Sequence, residues 1–407
     1  MSIPWRDAMS QALYGPDGFF VTGSGPAAHF RTSVHASPAF AGALLRLVAE
    51  VDSALGHPPR LDVVDVGAGR GELLHSLLRL VDAAPAVGGA VGVSGEPAHS
   101  GRSGRNPSWS GSPETLTSTA SDRRSPDEPS LVADRLSLAE RVRFTAVEYA
   151  DRPENLPEEI NWTAESPDEI NGLLIATEWL DNVPLDVTVH TGDGWRYVLV
   201  DPDSGVETIG GPVTPADLDW LTTWWPSPAS PASVDSDLTG GSTSTDATSG
   251  SESGFRAEIG RTRDEAWANA VRQISRGLAV AVDYGHLRES RPVDGTLTGY
   301  RGGRQVPPVP DGSSDVTAHV AMDSVASAGA AVARCAYSLV LQREALRALG
   351  ADGGRPPLSL AGTDPVGYVR ALAAASAVAE LTDPAGLGGH LWLRQPVGIP
   401  LGPAVAR

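Results

Sequence analysis

Apolar and polar positions alternate most informatively between Leu61 and Val81. Leu61, Val63, Val64 and Val66 form a short apolar run with Asp65 near its end, which predicts a buried strand. Gly67, Gly69 and Gly71 break the run, and Leu73, Leu74, Leu77, Leu78 and Val81 then recur on one face of a helix expected from about Glu72. Further strands are expected at Val142–Ala150, ending in Glu148, and at Gly172–Glu178. Val187–Val200 reads as a hairpin turning at Gly192, Asp193 and Gly194. Ile259, Ala266, Ala270, Val271 and Ile274 give Glu258–Arg276 a helical period that runs into a buried strand, Gly277–Gly285. His390–Gly398 predicts a last sheet strand. Strands alternating with helices in this way predict an α/β fold with a doubly wound, mostly parallel sheet.

Two stretches lack any period. Residues from about 88 to 130 and from about 226 to 254 are rich in Gly, Ser, Pro, Thr and Asp. Neither carries enough apolar surface to offset its ordering entropy, so both are expected to be flexible insertions. The remainder suits an N-terminal helical segment, 1–58, followed by one large domain, 59–407.

Composition removes several chemistries. The chain has 31 basic residues, all of them arginine. Without a lysine it cannot be a Schiff-base or pyridoxal enzyme, a Walker-A ATPase or a protein kinase. Cys335 is the single cysteine, which excludes internal disulfides and cysteine-rich zinc sites, and its alanine-rich surroundings predict a small core residue. The nine histidines lack His-x-x-x-His spacing, so no metal site is expected. The N-terminus shows no signal-peptide pattern, and no apolar run approaches the length of a membrane span. A net charge of −19 disfavours nucleic-acid binding, fits a cytoplasmic protein and would steer a basic substrate.

Strand, glycine turn and helix cradle nucleotide-like ligands in α/β sheets. A dinucleotide loop reads G-x-G-x-x-G, which would place its third glycine at position 72, where this chain has Glu72. The pattern is instead acidic-x-G-x-G-x-G, and it resembles motif I of the S-adenosylmethionine-dependent methyltransferases. Seven further stretches strengthen that likeness: YGPDGFF (Tyr14–Phe20), HFRTSVHASPAF (His29–Phe40), ATEWLDNVP (Ala176–Pro184), VAVDYGH (Val280–His286), GTLTGYRGG (Gly295–Gly303), DVTAHV (Asp315–Val320) and LGGHLWLRQPVG (Leu387–Gly398). In this order they resemble the MidA family of methyltransferases, which includes the mitochondrial complex I assembly arginine methyltransferase. The resemblance spans nearly all the chain outside the two insertions. It implies a Rossmann-like class I methyltransferase sheet with helices on both faces, an N-terminal lid and S-adenosyl-L-methionine as cofactor.

Candidate residues follow. Gly67, Gly69 and Gly71 would offer backbone N–H groups and room, and Asp65 beside them can bind the cofactor's amino end. The ribose hydroxyls need an acidic acceptor after the second strand. Glu148 ends the better strand and is favoured over Glu96, for which a solvated loop carboxylate is the simpler reading. Thr32, Ser33 and Ser37 fall in the segment resembling the family's lid, although Ser37 before Pro38 also reads as a helix start. Glu178 and Asp181 follow a buried strand, where open α/β sheets bind ligands. Two carboxylates there could grip a guanidinium and take its proton. Alternatively, Asp181 caps a turn and Glu178 holds loop backbone. Asp283, Tyr284, His286 and His319 are placed near the acceptor cleft, and Trp224 and Trp225 in the core. The family usually carries Asn before this Glu, where the chain has Thr177.

The resemblance implies a protein arginine as methyl acceptor, with a respiratory complex I subunit or its bacterial counterpart as partner. A small-molecule acceptor and a catalytically weak assembly protein that keeps the fold are the alternatives. A nicotinamide oxidoreductase is disfavoured by Glu72.

Overall fold

The computed structural model describes residues 1–22, 32–36, 38–83, 136–225, 255–351 and 353–400. Both expected insertions, together with Glu96 and Ser37, lie outside the described residues.

The alternating elements build the expected α/β sheet. Its strands are β1 (Leu61–Val66), β2 (Val142–Val147), β3 (Ile160–Thr163), β4 (Ile170–Thr177), β5 (Ile274–Asp283), β6 (Ser338–Leu341) and β7 (Leu391–Val397). They lie in the order β6-β7-β5-β4-β1-β2-β3. β7 is antiparallel to both neighbours, and the other pairs are parallel. The register places Val64 between Leu174 on β4 and Thr145 on β2. The chain steps outward from β1 in one direction and from β4 in the other, so the β1/β4 boundary is the topological switch point, where a crevice opens beyond the strand ends.

The apolar stripes read from sequence cover the sheet. Helices α2 (Pro38–Ala54) and α3 (Glu72–Ala83) bring Phe40, Leu44, Leu47, Leu73 and Leu77 onto one face, against Val63, Leu173 and Val280. Helices α4 (Arg261–Arg272) and α5 (Met322–Ala333) cover the other with Trp267, Val271 and Val325, against Val64, Leu174 and Ala279. Burying one such side chain contributes about 1.5–3 kcal/mol. These stripes therefore outweigh local propensity in deciding where the helices dock.

A second sheet is inserted between β4 and β5. The expected hairpin, Asp186–Thr191 with Gly194–Val200, is joined by Ile3–Pro4, Glu207–Pro212 and Arg256–Ile259. Helix α1 (Trp5–Tyr14) packs Trp5, Met9 and Leu13 onto it. A small sheet of Thr298–Arg301, Arg304–Val306 and Asp315–Thr317 lies beside α1.

Two expectations fail locally. Glu258 lies inside a strand rather than in a helix: Arg256–Ile259 pairs with Asp186–Val189, α4 starts only at Arg261, and β5 already begins at Ile274. Strand pairing overrides the helical period at both ends. Cys335 is exposed rather than in the core. Arg334 ends α5 in a left-handed conformation, φ 53°, and turns the chain outward before the cysteine. Trp225 is buried in a small core with Trp220 and Ile259, as expected.

Candidate active site

The turn after β1 needs its glycines. Gly67, Gly69 and Gly71 have φ of 71°, 59° and 79°, conformations that residues with a Cβ avoid. A Cβ on Gly67 would lie 2.8 Å from the Trp179 ring, and one on Gly71 would lie 2.6 Å from Leu156. At Gly69 the nearest atom would be 3.6 Å away, so this glycine borders open space.

The N–H groups of the turn, expected to serve the ligand, have acceptors within the chain. Gly67 and Ala68 donate to the Val147 carbonyl (3.0 and 3.3 Å), and Gly71 donates to Ala68 (2.8 Å). Gly69 donates to Glu148 Oε2 and Arg70 to Glu72 Oε2, both at 3.0 Å. The turn therefore contributes bare surface more than donors. Glu148 is held against it through Gly69 and through Tyr149 N–H at 2.7 Å. Burial raises the Glu148 carboxyl above its ordinary range. Asp65 is buried in β1, and burial, followed by the charges of Glu148 and Glu72, pushes it up to about 8.

A cavity of about 1030 Å³ opens at the switch point. Thr32, Gly67, Gly69, Glu148, Glu178 and Asp181 line it. Asp65, Gly71 and Ser33 do not, and stand behind its wall. Of the further candidates, Tyr284 and His319 line it, whereas Asp283 and His286 do not. His286 is braced by Arg291 Nη1 at 2.7 Å and packs edge-on to Trp225, and burial pushes it down to about 3.

The segment 32–35, expected from the resemblance to be a lid, is tied to the site at two points. The buried Ser33 donates its N–H to Glu178 Oε1 at 3.0 Å, and His35 Nε2 lies 3.4 Å from Glu72. Thr32 Oγ1 bonds His35 Nδ1 at 2.6 Å. Gln342, from beyond β6, donates to Ser33 Oγ at 3.1 Å and fixes that residue in turn.

Glu178 leaves β4 in a left-handed conformation, φ 52°, which is costly for a residue with a side chain. Its N–H donates to Val282 O at 2.8 Å, so the β4–β5 pairing holds the strained residue in place. Burial raises its carboxyl to about 7, against the lowering effect of Ser33 N–H. His390 Nδ1 lies 4.0 Å away, and burial holds that imidazole down at about 4.

Asp181 sits in the next turn with a different set of partners. Its Oδ2 accepts from Tyr284 O–H and from Thr317 Oγ1, the latter at 2.7 Å. Its Oδ1 is buried without a hydrogen-bond partner among the described residues. Asp283 accepts the N–H groups of Leu180 and Asp181 at 3.0 and 3.3 Å and so sets that turn. Burial raises the Asp181, Asp283 and Asp315 carboxyls, and the Asp181 charge raises the latter two further. The buried Arg263 donates to the Asp181 and Ala318 carbonyls at 2.5 and 2.9 Å, bracing backbone rather than clamping a carboxylate.

Several lining residues were not singled out from sequence. Tyr14, Trp179, Asp315 and His390 all lie within quoted stretches whose chemistry was not assigned; Tyr14 comes from α1 and Asp315 from the small sheet. Thr177, at the position where the resembled family carries Asn, is nearly buried, and its Oγ1 has no partner among the described residues. Among those residues no group of three or more His, Cys, Asp or Glu could hold a metal ion, and no helix is long and apolar enough to cross a membrane.

Two solved structures share this architecture. One is a COG1565 superfamily member from Burkholderia thailandensis bound to S-adenosyl-homocysteine; it is 20% identical, with a TM-score of 0.65 over 99% of this chain and 90% of that one. The other is an uncharacterized COG1565 superfamily protein from the same organism, 21% identical, with a TM-score of 0.63 over 100% and 90%. At these identities they show the fold. No curated protein matches the chain. Residues 128–339 match the family described as "Putative S-adenosyl-L-methionine-dependent methyltransferase", and that span is just over half of the sequence. With the switch-point cavity and its glycine turn, the match identifies the chain as a member of this S-adenosyl-L-methionine-dependent methyltransferase family.

Proposed function

We propose that the chain methylates an arginine side chain of a protein, as the MidA-like motifs imply, with Glu178 as the proton acceptor. The observation that carries this reading is the pair of carboxylates, Glu178 and Asp181, lining one cavity with the glycine turn.

The residues present fit the cofactor. Gly67 and Gly69 give a bare wall, and Glu148 beside them is an acceptor suited to ribose hydroxyls. The buried Asp65 and Glu148 carboxyls, both raised, are suited to a cationic neighbour such as the cofactor's amino end. Thr32 lines the cavity from the N-terminal segment, and Ser33 behind it holds Glu178. When bound, S-adenosylmethionine supplies an electrophilic methyl group that the acceptor nitrogen takes in an in-line displacement, leaving a neutral thioether.

The chain's own groups position the acceptor and remove its proton. Glu178, raised to about 7, is poised as a base near neutral pH. Asp181 is immobilised by Tyr284 and Thr317, and its unpartnered Oδ1 can accept a guanidinium N–H. A cationic acceptor is further favoured by the net charge of −19.

The test is methyl transfer from labelled S-adenosylmethionine into a source-cell lysate, followed by mass spectrometry of the labelled species. Label on a protein arginine supports the proposal. Label on a small molecule would remove the arginine assignment and keep the methyltransferase. Cofactor binding without any labelled product would favour the assembly-protein alternative.

A further inference from the structure

The small sheet brings into the cavity a carboxylate that the proton-acceptor reading does not use. Asp315 lines the cavity and is only 4% exposed. Side chains alternate along the strand Asp315–Thr317, so Asp315 and Thr317 share a face. That face is fastened to the turn after β4 at consecutive residues. Thr317 Oγ1 donates to Asp181 Oδ2, and Asn182 Nδ2 donates to Asp315 Oδ1, both at 2.7 Å. Asp181 thus sits at Thr317, and Asp315 stands further along the strand by about 6.6 Å, the rise of a two-residue step. Each carboxyl keeps an oxygen for a ligand. Asp181 Oδ1 is buried without a partner, and Asp315 Oδ2 accepts no hydrogen bond among the described residues.

The surroundings of Asp315 belong to the acceptor end. Burial raises its carboxyl well above the ordinary range, and the Asp181 and Glu178 charges raise it further. Tyr300 pairs directly with Asp315 across the small sheet, so both side chains stand on one face, and both line the cavity. Tyr14 separates this end from Glu148. Its hydroxyl donates to Asn182 O at 3.3 Å, and its ring meets Tyr149 edge-on at 5.7 Å between centroids. Among the described residues no arginine lines the cavity, and the buried Arg263 is engaged by the Asp181 and Ala318 carbonyls. The positive charge that Asp181 and Asp315 favour must therefore come from the ligand. Its shape is constrained as well. A guanidinium donates from more than one edge of a plane and can reach two separated carboxyls, whereas an ammonium gathers its donors on one atom.

We propose that Asp315 is the specificity carboxylate of the acceptor site, holding one edge of the acceptor's guanidinium while Asp181 holds another. Glu178 is then left to take the proton. The inference rests on the reading of the cavity as an arginine-transfer site. It adds the residue that distinguishes a guanidinium from an ammonium and from an uncharged group of the same shape.

Binding probes test this apart from the reaction. N-acetyl-arginine amide, its lysine counterpart and its citrulline counterpart, which is neutral and close to arginine in shape, are titrated by ligand-observed NMR with S-adenosyl-homocysteine present. The unaltered protein should bind the arginine probe at least about tenfold more tightly than either of the others, the scale of a hydrogen bond to a buried charge. Asp315→Asn keeps an oxygen for Asn182 and removes the charge. It should lower the preference for arginine over citrulline by about fivefold or more and leave S-adenosyl-homocysteine affinity unchanged. Asn182→Ala releases the Asp315 carboxyl and should weaken the arginine probe by a smaller factor. Should Asp315→Asn not fold, unchanged arginine affinity in Asn182→Ala would overturn the assignment. An undiminished arginine preference in a folded Asp315→Asn would also overturn it and leave arginine transfer standing. A matching loss of S-adenosyl-homocysteine affinity would move Asp315 to the cofactor's side of the site. No arginine preference in the unaltered protein would remove this inference and the arginine-transfer reading together.

Discussion

The backbone N–H of Ser33 reaches Glu178 Oε1 at 3.0 Å across a sequence separation of 145 residues. The segment around Ser33 is thus bonded to the carboxylate proposed above as the base. Burial drives the Glu178 carboxyl upward, and this N–H is the largest influence in the opposite direction. The position of Ser33 and the basicity of Glu178 are coupled through this main-chain bond.

Removing that N–H tests the coupling. Ser33 is the first residue of a short helix, Ser33–Ala36, where proline is tolerated. Ser33→Pro should raise the apparent pKa of the essential base and move the acidic limb of the kcat/KM profile to higher pH. Ser33→Ala keeps the N–H and should move it less. A proline variant with an unmoved limb would show that the bond does not tune catalysis.

Glu178→Gln should bind S-adenosyl-homocysteine normally by calorimetry and lose about 100- to 10,000-fold in transfer, the usual contribution of a positioned base. In the unaltered protein, activity should rise as pH passes through about 7, because the base must be deprotonated to take the proton. Asp181→Asn should lose less, since the amide can still accept from Tyr284 and Thr317. Near-normal turnover in Glu178→Gln would end the base assignment.

The glycine turn separates binding from folding. Gly69 faces open space, so Gly69→Val places its side chain toward the cavity and strains a left-handed residue by about 1–3 kcal/mol. It should fold with reduced cofactor affinity. At Gly71 even a Cβ meets Leu156 at 2.6 Å, so Gly71→Val should lower the melting temperature well below that of Gly69→Val. Calorimetry and thermal melts on both variants distinguish the two effects, and unchanged affinity in a folded Gly69→Val would take this residue out of the site.

What was legible in the sequence was whatever local period and turn chemistry determine. Leu61–Val66, the glycines and the helix from Glu72 stand where the pattern put them, because the apolar stripe and the strand alternation agree with the tertiary contacts. The same reasoning brought Glu148, Glu178 and Asp181 to one cavity, since each follows a sheet strand at its carboxyl end. The second sheet was only half legible. Its hairpin carries a turn signal, but Ile3–Pro4 and Arg256–Ile259 are too short to show a period and become strands only by pairing across the chain. For the same reason Tyr14 and Asp315 escaped notice as cavity residues: their nearness to Glu148 and Asp181 exists only after α1 and the small sheet have docked. The N–H groups of the glycine turn could not have been assigned from sequence, because their acceptors include Val147 and Glu148 on another strand.

Cofactor binding should release protons at neutral pH. Without ligand, Asp65 is raised to about 8, first by burial and then by the Glu148 and Glu72 charges, so at pH 7 it is largely protonated. A cationic amino group bound in the cavity, across the wall from Asp65, would favour the carboxylate and lower that pKa toward its ordinary value. The sign follows directly: the complex holds fewer protons than the free protein, and affinity rises with pH between about 4 and about 8. The stability of the ligand-free protein should run the other way. Its folded state binds the extra proton, so the Asp65 contribution is complete below the unfolded value near 4 and declines as pH rises toward 8. Calorimetric titration of S-adenosyl-homocysteine, which keeps the amino group and lacks the sulfonium, should give binding heats that differ between two buffers of unequal ionisation enthalpy. The slope should correspond to proton release, and Asp65→Asn should abolish most of it. Heats independent of the buffer would place the cofactor's amino end away from Asp65.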